Sequence, residues 1–236
     1  MNDKPMVKTM DKMKFDSVLF DLDGTLLDTA DDLGAALNQV LAKHGKTAVS
    51  ADLYTPEASN GSKGLLKLGF GEQFIGYDFE VLKAQFLAQY LNNIAVHSQF
   101  FDDVADTLKY LNAQGIPWGV VTNKPAFLTD PLLKHFDLFT PAQTDSRSYC
   151  RTIVSGDTVG VAKPNPAPML HALKALDMPA ETCLYVGDAK RDIEAGQNVN
   201  MKTAAALYGY IAEGDDANSW GADYHFESLR DLLELV

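Results

Sequence analysis

Cysteine is nearly absent from this sequence. The 236 residues include two, Cys150 and Cys183, which lie far apart and outside any Cys-x-x-Cys spacing. Their number and spacing argue against a disulfide framework and against a cysteine-based metal site. We interpret both as buried, reduced thiols, which fits a cytoplasmic protein.

Basic residues are also scarce. Lys and Arg total 20 against 32 for Asp and Glu, which gives a net charge of -12. Binding to nucleic acid or to an anionic membrane surface requires clusters of cations, so this charge argues against both partners. A phosphorylated ligand would be repelled as well, unless a metal ion and a few cations reverse the field locally. The sequence carries no pattern that sets an oligomeric state.

Long apolar runs are missing too, because no stretch approaches the ~20 apolar residues of a membrane span. Residues 1–14 are polar and contain lysines, without the apolar segment of a secretory signal, so we predict a flexible N-terminal tail there. Hydrophobic residues still make up 46% of the chain, which is enough for a well-buried core.

Short apolar runs are present and predict buried strands. They lie at 18–20, 118–122, 152–155, 183–187 and, more weakly, 203–207. Helical patterns separate them, since Val104, Leu108 and Leu111 share one helix face and 168–176 has the same periodicity. Strands and helices that alternate at this spacing predict an α/β fold with a doubly wound parallel sheet.

Between the first two predicted strands the pattern is helical throughout. Apolar residues recur at helical spacing at Leu33, Leu37, Val40 and Leu41, and again at Leu82, Phe86 and Tyr90. The first of these helices is predicted to begin after Asp28 or Thr29 and to stop at Gly45, and Pro56 would begin another.

This helical segment is longer than a connection between parallel strands requires, which is about a dozen residues. The excess predicts a helical domain inserted at 31–98. Residues 15–30 and 99–236 would then form the core, and His97 and Ser98 would lie where the chain returns to it.

Two carboxylates, Asp21 and Asp23, follow the first predicted strand. Residues two apart in extended backbone point to the same side, and two carboxylates there repel each other unless they share a cation or one takes a proton. Such a pair suits a metal ion, a nucleophile and a general acid. Gly24 permits a sharp turn, and Thr25 can hydrogen-bond back to the loop. The alternative is an Asp-Gly turn with solvated carboxylates.

Polar residues also follow the second predicted strand. Thr122, Asn123 and Lys124 precede Pro125. A hydroxyl group and free backbone N–H groups at a strand end can hold phosphate oxygens. The alternative is an ordinary turn closed by the proline.

Charged residues follow the third and fourth strands. Lys163 could neutralise a phosphoryl group as a compact point charge, or it is a surface lysine. Asp188 and Asp192 suit Mg²⁺, which takes one or two carboxylates, although acidic residues also favour a helix N-terminus. Ligands bind beyond the carboxyl ends of the strands in such sheets, so we expect all four clusters to meet there.

The four clusters, in this order, resemble the motifs of the haloacid dehalogenase superfamily over nearly all of 17–236, and Asp-x-Asp-Gly-Thr after an apolar strand is highly specific. The resemblance implies a Rossmann-like core, an inserted helical cap, Mg²⁺ as cofactor and an aspartyl-phosphate intermediate. It also implies roles: Asp21 as nucleophile, Asp23 as general acid and then base, Thr122 as phosphoryl-binding hydroxyl, Lys163 as stabilising cation, Asp188 as a metal ligand beside the Asp21 carboxylate and the Asp23 carbonyl, and Asp192 as support behind the metal. Ala189 stands where many relatives carry Ser or Asp, which puts the metal affinity in doubt.

Two groups of phosphatases share further segments with this chain. Residues 20–29, 120–125 and 187–196 resemble bacterial phosphoglycolate phosphatases, whereas 95–98, 208–211 and 220–223 resemble N-acetylmuramic acid 6-phosphate phosphatases. Phosphoglycolate is the first candidate substrate, and both candidates are small phosphorylated metabolites that carry a carboxylate.

Substrate contacts are expected from both parts of the chain. Asn123 and Lys124 are candidates on the core side. In the insert, the polar segment 59–63 could reach over the site, with Gly61 and Lys63 near the substrate carboxylate; the alternative is a solvated helix end.

Other functions share parts of this pattern. A dehalogenase would not need the leaving-group acid Asp23, whereas a sugar phosphomutase shares all four motifs. A phospho-receiver module uses an aspartate, a hydroxyl and a lysine, but it is much shorter and lacks the insert. A catalytically silent binding module would be expected to lack a motif residue, and none is missing here.

Overall fold

The computed structural model of this chain describes residues 14–139, 150–212 and 214–236, so the predicted tail 1–14 lies almost wholly outside the described residues. Within these ranges the strands are β1 (Ser17–Phe20), β2 (Leu27–Asp28), β3 (Gln99–Phe100), β4 (Trp118–Val121), β5 (Ile153–Val154), β6 (Cys183–Gly187), β7 (Lys202–Ala206) and β8 (Tyr224–Phe226). The α-helices are α1 (Ala30–Lys43), α2 (Ala51–Glu57), α3 (Gly61–Phe70), α4 (Phe79–Asn92), α5 (Val104–Gln114), α6 (Ala126–Leu133), α7 (Ala167–Leu176) and α8 (Lys190–Gln197).

One six-stranded sheet organises the molecule, in the order β5-β4-β1-β6-β7-β8. Every neighbouring pair in it is parallel. The predicted α/β fold is therefore confirmed, and the five predicted apolar runs coincide with five of these strands. The sixth, β8, was missed because its residues have no continuous apolar run and only Phe226 is buried.

Alternating residues of β1 pack on opposite faces of the sheet. Val18 and Phe20 lie in one apolar cluster with the buried face of α5. Leu19 lies in another cluster with Met169 and Leu173 of α7. A strand that is buried on both faces reads as a continuous apolar run, which is the pattern that predicted it.

Helices alone fill the chain between β2 and β3, which pair with each other in antiparallel fashion. The apolar faces of α1, α3 and α4 form a separate cluster, which also takes in Leu128 and Tyr210 from outside the insert. The helical insert is thus packed on the sheet-bearing part of the chain. Its treatment as a domain with bounds at 31 and 98 stays a prediction.

Pro56 was wrongly expected to begin a helix. It lies inside α2, which instead begins after Ser50 in extended backbone, with Asp52 in its first turn. A serine before the first helical residue and an acidic residue in the first turn are the stronger start signals. None of the helices in the described ranges is long and apolar enough to cross a bilayer.

Candidate active site

Three buried carboxylates meet where β1 and β6 end. Asp21 directly follows β1, Asp188 directly follows β6, and Asp192 lies in the first turn of α8. One oxygen from each lies within 4.8 Å of the others. Because β1 and β6 are parallel neighbours, their carboxyl ends bring together residues that are far apart in sequence.

Lys163 supplies the positive charge beside this cluster. Its Nζ lies 2.9 Å from Oδ1 of Asp21 and 2.7 Å from Oδ1 of Asp192, and its side chain has no exposed surface. Nζ also donates to the hydroxyl of Tyr185 at 2.7 Å, and that hydroxyl donates to the carbonyl of Val121. Lys163 is therefore a buried, fixed cation and not a surface lysine.

Asp188 receives hydrogen bonds from three parts of the chain. Thr25 Oγ1 donates to Oδ1 at 3.2 Å, while Ser59 Oγ and the backbone N–H of Tyr210 donate to Oδ2 at 2.5 and 3.0 Å. The backbone N–H of Thr25 bonds back within its own loop to the carbonyl of Leu22, as the sequence predicted, whereas its hydroxyl reaches across to another strand end. Ser59 belongs to the helical insert, so this contact joins the insert to the metal-ligand candidate.

Glycine is required on two sides of Asp188. A Cβ atom on Gly24, whose φ is +81°, would lie 2.1 Å from Oδ2 of Asp188. A Cβ on Gly209 would lie 2.3 Å from the Cβ of Asp188. Any side chain at either position would displace this carboxylate, so both glycines shape the cluster.

Burial and mutual repulsion govern the charge of the cluster. Burial raises the pKa of Asp188 to about 7, and the charges of Asp21 and Asp192 add to that effect. Burial also raises the pKa of Asp21, although Lys163 acts in the opposite direction. When all three carboxylates are ionised, Lys163 and the nearby Arg191 supply two positive charges against three negative ones, which leaves an excess of negative charge. An all-oxygen donor set with excess negative charge fits a hard cation such as Mg²⁺.

Asp192 also caps the N-terminus of α8. Its Oδ2 accepts from the backbone N–H of Ala189 at 3.0 Å, and its Oδ1 faces Lys163. Ala189, at the N-cap, offers no side-chain acceptor of its own. Asp192 therefore satisfies a helix N–H group while it holds the lysine.

The side chain of Asp23 turns away from the three-carboxylate cluster. Its Oδ1 accepts from Thr29 Oγ1 at 2.6 Å and from Lys124 Nζ at 2.7 Å. Burial alone would lower the pKa of Lys124, but the charge of Asp23 and the contact with Tyr90 raise it above its ordinary value. Lys124 Nζ also lies 4.4 Å from the centroid of the Tyr90 ring, so a second contact joins the insert to the core.

The turn after β4 braces Lys163. Asn123 Oδ1 accepts from the backbone N–H of Lys163 at 2.8 Å, and Asn123 Nδ2 donates to its carbonyl at 3.0 Å. Thr122, 4% exposed, accepts from the backbone N–H of Lys124 through its hydroxyl. The amide of Asn123 is thus committed to the lysine loop, although the residue lines the cavity described next.

A cavity of about 520 Å³ lies above these groups. The predicted site residues that line it are Asp21, Asp23, Gly61, Lys63, Thr122, Asn123 and Lys124. Lining residues that were not predicted as site residues include Leu33, Lys83, Phe86, Leu87, Tyr90, Leu128 and Arg191. Lys163, Asp188 and Asp192 lie behind this lining. The apolar periodicity of α1 and α4 marked several of the missed residues as core, and only the fold shows that they also face the cavity.

His97 lies outside the cavity lining. Its backbone N–H donates to Oδ1 of Asp32, and both the N–H and the hydroxyl of Ser98 donate to Oδ2. Asp32 lies in α1 and is 2% exposed. The returning segment is therefore fastened to the first helix of the insert.

Comparisons with known proteins agree with this geometry. Residues 18–206 match the family model described as haloacid dehalogenase-like hydrolase. A curated N-acetylmuramic acid 6-phosphate phosphatase of Pseudomonas putida is 38% identical over 95% of this chain and 97% of its own. A curated phosphoglycolate phosphatase of Xanthomonas campestris is 37% identical over 92% of this chain and 95% of its own.

Solved structures share the fold. The crystal structure of a predicted phosphoglycolate phosphatase from Haemophilus somnus has a TM-score of 0.78 and 27% identity, and the match covers 94% of this chain and 97% of that one. The family model alone spans most of the sequence, and the strand-end motifs lie within the matched residues. The chain belongs to the haloacid dehalogenase-like hydrolase family.

Proposed function

We propose that this chain is a magnesium-dependent phosphatase that hydrolyses a small phosphate monoester by transferring the phosphoryl group to Asp21. One observation carries the proposal: a buried carboxylate, held by Lys163 at 2.9 Å within a carboxylate cluster, lies at the base of a substrate-sized cavity. The curated relatives named as phosphatases, which match nearly the whole chain, support it.

The carboxylates of Asp21 and Asp188 would hold the metal ion, together with the backbone carbonyl of Asp23. Asp192 would support the site from behind through Lys163. Bound Mg²⁺ would offset the negative charge of the phosphoryl group and of the carboxylate that approaches it.

Asp21 would attack the phosphorus atom in line with the leaving group. Its Oδ1 accepts from the backbone N–H of Leu22 at 2.8 Å and from Lys163, so we assign Oδ2 as the attacking oxygen. Attack forms the Oδ2–P bond and breaks the bond from phosphorus to the leaving-group oxygen. Thr122 and the turn that follows it would hold phosphoryl oxygens, and Lys163 would stabilise their charge.

Asp23 would move the protons in both half-reactions. In its protonated form it gives a proton to the departing alkoxide. It then takes a proton from the water that attacks the aspartyl-phosphate, which releases phosphate and restores the Asp21 carboxylate. Positioned groups of this kind contribute about 10²–10⁴-fold to the rate.

The proposed substrate carries a carboxylate as well as the phosphate. Phosphoglycolate is the first candidate, which the phosphatase of X. campestris supports by its name and its 37% identity. N-acetylmuramic acid 6-phosphate is the second, which the 38% identical relative from P. putida supports. Lys63 and Gly61, on the insert side of the cavity, would face that carboxylate.

Phosphate release from p-nitrophenyl phosphate, with Mg²⁺ and with EDTA, tests the proposal. We expect turnover only with Mg²⁺, and Asp21→Asn should abolish it while the protein stays folded. Asp130→Asn, at an exposed position on α6, is the matched control and should keep wild-type activity. Turnover by the Asp21→Asn protein would refute the nucleophile assignment, and isomer formation from a sugar phosphate without phosphate release would indicate a mutase.

A further inference from the structure

One face of α4 lies along the cavity. Lys83, Phe86, Leu87 and Tyr90 all line it. Residues three, four and seven apart share one side of a helix, so this lining is a continuous strip. The proposed phosphoryl transfer does not use Lys83, Phe86 or Leu87, which leaves this part of the strip without a role in the chemistry.

The insert and the core are in contact around the cavity. Ser59 donates to Asp188, and Tyr90 lies over Lys124, so the insert contacts the core beside the cavity. The volume of about 520 Å³ therefore belongs to an arrangement in which the insert contacts the core. Glycolate would replace only a few waters of about 30 Å³ each. Cavities of about 300–1,000 Å³ ordinarily hold much larger ligands.

The walls of the cavity differ in chemistry. Leu33, Phe86, Leu87 and Leu128 supply apolar surface. Lys63, Lys83 and Arg191 supply cations. Lys83 pairs with Glu80 at 3.5 Å and lies 5.8 Å from the centroid of the Phe79 ring, and its side chain is 40% exposed, so it can turn toward a ligand by giving up weak surface contacts. An apolar wall beside cations suits a leaving group with one apolar face and one anionic substituent.

We infer that the α4 strip selects phosphate esters whose leaving group is a carboxylate-bearing ring, with Leu87 setting its size and Lys83 binding its carboxylate together with Lys63. The inference rests on the proposed phosphatase function and deepens it, because it assigns the leaving group to a ring-sized class and so favours the second candidate substrate over phosphoglycolate. Glycolate would leave most of the strip in contact with water.

Three esters test the inference by steady-state kinetics with Mg²⁺. N-acetylmuramic acid 6-phosphate has a ring and a carboxylate, N-acetylglucosamine 6-phosphate has the ring alone, and 2-phosphoglycolate has the carboxylate on two carbons. We expect the wild-type kcat/KM to be at least about tenfold higher for the first ester than for the third, the range that pocket fit produces.

Variants then locate the selectivity. Leu87→Trp should lower the ratio of kcat/KM for the ring esters to that for 2-phosphoglycolate by about tenfold, since it fills ring space. Lys83→Met should lower the ratio of N-acetylmuramic acid 6-phosphate to N-acetylglucosamine 6-phosphate by about tenfold, which corresponds to about 1.4 kcal/mol. Leu91→Trp on the exposed side of α4 and Lys67→Met on α3 are the controls, and should leave both ratios unchanged.

The outcomes separate this inference from the phosphatase proposal. A wild-type kcat/KM that is highest for 2-phosphoglycolate would overturn the inference and leave the phosphatase proposal standing. Equal loss on all three esters in a folded Leu87→Trp protein would also overturn it. If neither these esters nor p-nitrophenyl phosphate is hydrolysed, the phosphatase proposal fails, and the inference fails with it.

Discussion

At Asp188, burial and two neighbouring carboxylates act in the same direction. Its pKa in the folded, metal-free protein is raised to about 7, from an ordinary value of 3.8. The folded state therefore holds a proton that the unfolded state releases between these values. The stability of the metal-free protein should fall as pH rises from about 4 to about 7, and this contribution should level off above pH 7.

Magnesium binding should show the opposite trend, because the ion requires the ionised carboxylate. The rise in melting temperature from EDTA to a fixed Mg²⁺ concentration should grow from pH 5.5 to about 7 and then level off. Thermal melts across this range measure it, and Asp188→Asn should lose the Mg²⁺ effect at every pH. A magnesium effect that is constant over the range would contradict the assignment of Asp188.

Asn123 acts on the lysine loop and not only on the cavity. Asn123→Ala would remove two hydrogen bonds to the backbone of Lys163 and leave partly buried groups without partners. We expect a loss of about 1–3 kcal/mol in unfolding free energy. We also expect a lower kcat, since the Lys163 backbone would no longer be held in place by Asn123.

Asn198→Ala is a matched comparison, because Asn198 is exposed and its side chain donates to the carbonyl of Pro164, next to Lys163. The Asn198→Ala protein should lose less unfolding free energy, and its kcat should stay near that of the wild type. Urea unfolding and steady-state kinetics of both variants measure this. Equal effects of the two changes would mean that the hydrogen bonds from Asn123 to the Lys163 backbone do not matter for activity.

Among the helices, α1 is unusual in how its N-terminus is satisfied. The Tyr210 hydroxyl accepts from the N–H groups of Thr29 and Ala30, at 2.6 and 2.9 Å, and donates to Asp28 at 2.6 Å. Thr29 is the N-cap residue that the sequence pattern allowed, but its own hydroxyl bonds to Asp23 instead. A residue from the far end of the chain therefore caps the first helix of the insert.

Tyr210→Phe should uncap α1 without changing its apolar packing. The buried N–H of Thr29 would lose the Tyr210 hydroxyl as its acceptor, and that of Ala30 would be left with the longer bond to Asp28 Oδ1 at 3.3 Å, at a cost of about 1–3 kcal/mol in unfolding free energy. Tyr110→Phe, at a 39% exposed position on α5, is the control and should change stability little. Chemical unfolding measures both, and equal stability of the two variants would contradict the capping role.

For the whole molecule, the shared cluster predicts cooperative unfolding. Leu128 and Tyr210 of the core pack into the apolar cluster of the helical insert. Trp118 and Trp220 both lie outside the insert, so their fluorescence reports on the core, whereas far-UV circular dichroism also reports on the insert helices. We expect both signals to follow one urea transition.

Leu37→Ala, at a fully buried position of the insert, should lower the unfolding free energy by about 2–5 kcal/mol and shift both signals together. Leu53→Ala, 53% exposed, is its control. A shift in the circular dichroism signal alone would show that insert and core unfold separately, as two independent domains would.

Much of the architecture could be predicted because it depends on local pattern. Strands buried on both faces need continuous apolar runs, and these marked β1, β4 and β6. The amphipathic faces of α1 and α4 identified the helical insert. The edge strand β8 and the position of Pro56 within α2 were missed, since an edge strand needs little apolar surface and α2 begins at Ala51, five residues before the proline.

The sequence by itself determined the α/β fold and the strand-end carboxylates, hydroxyl and lysine, because parallel strands must end at one edge and the motif residues directly follow them. Only the tertiary structure decided what surrounds these groups. It placed Tyr185 against Lys163, Ser59 against Asp188, Tyr210 at the start of α1, and the α4 strip along the cavity. Those contacts join residues many positions apart, and no local pattern encodes which distant side chains meet once the sheet and the helices pack.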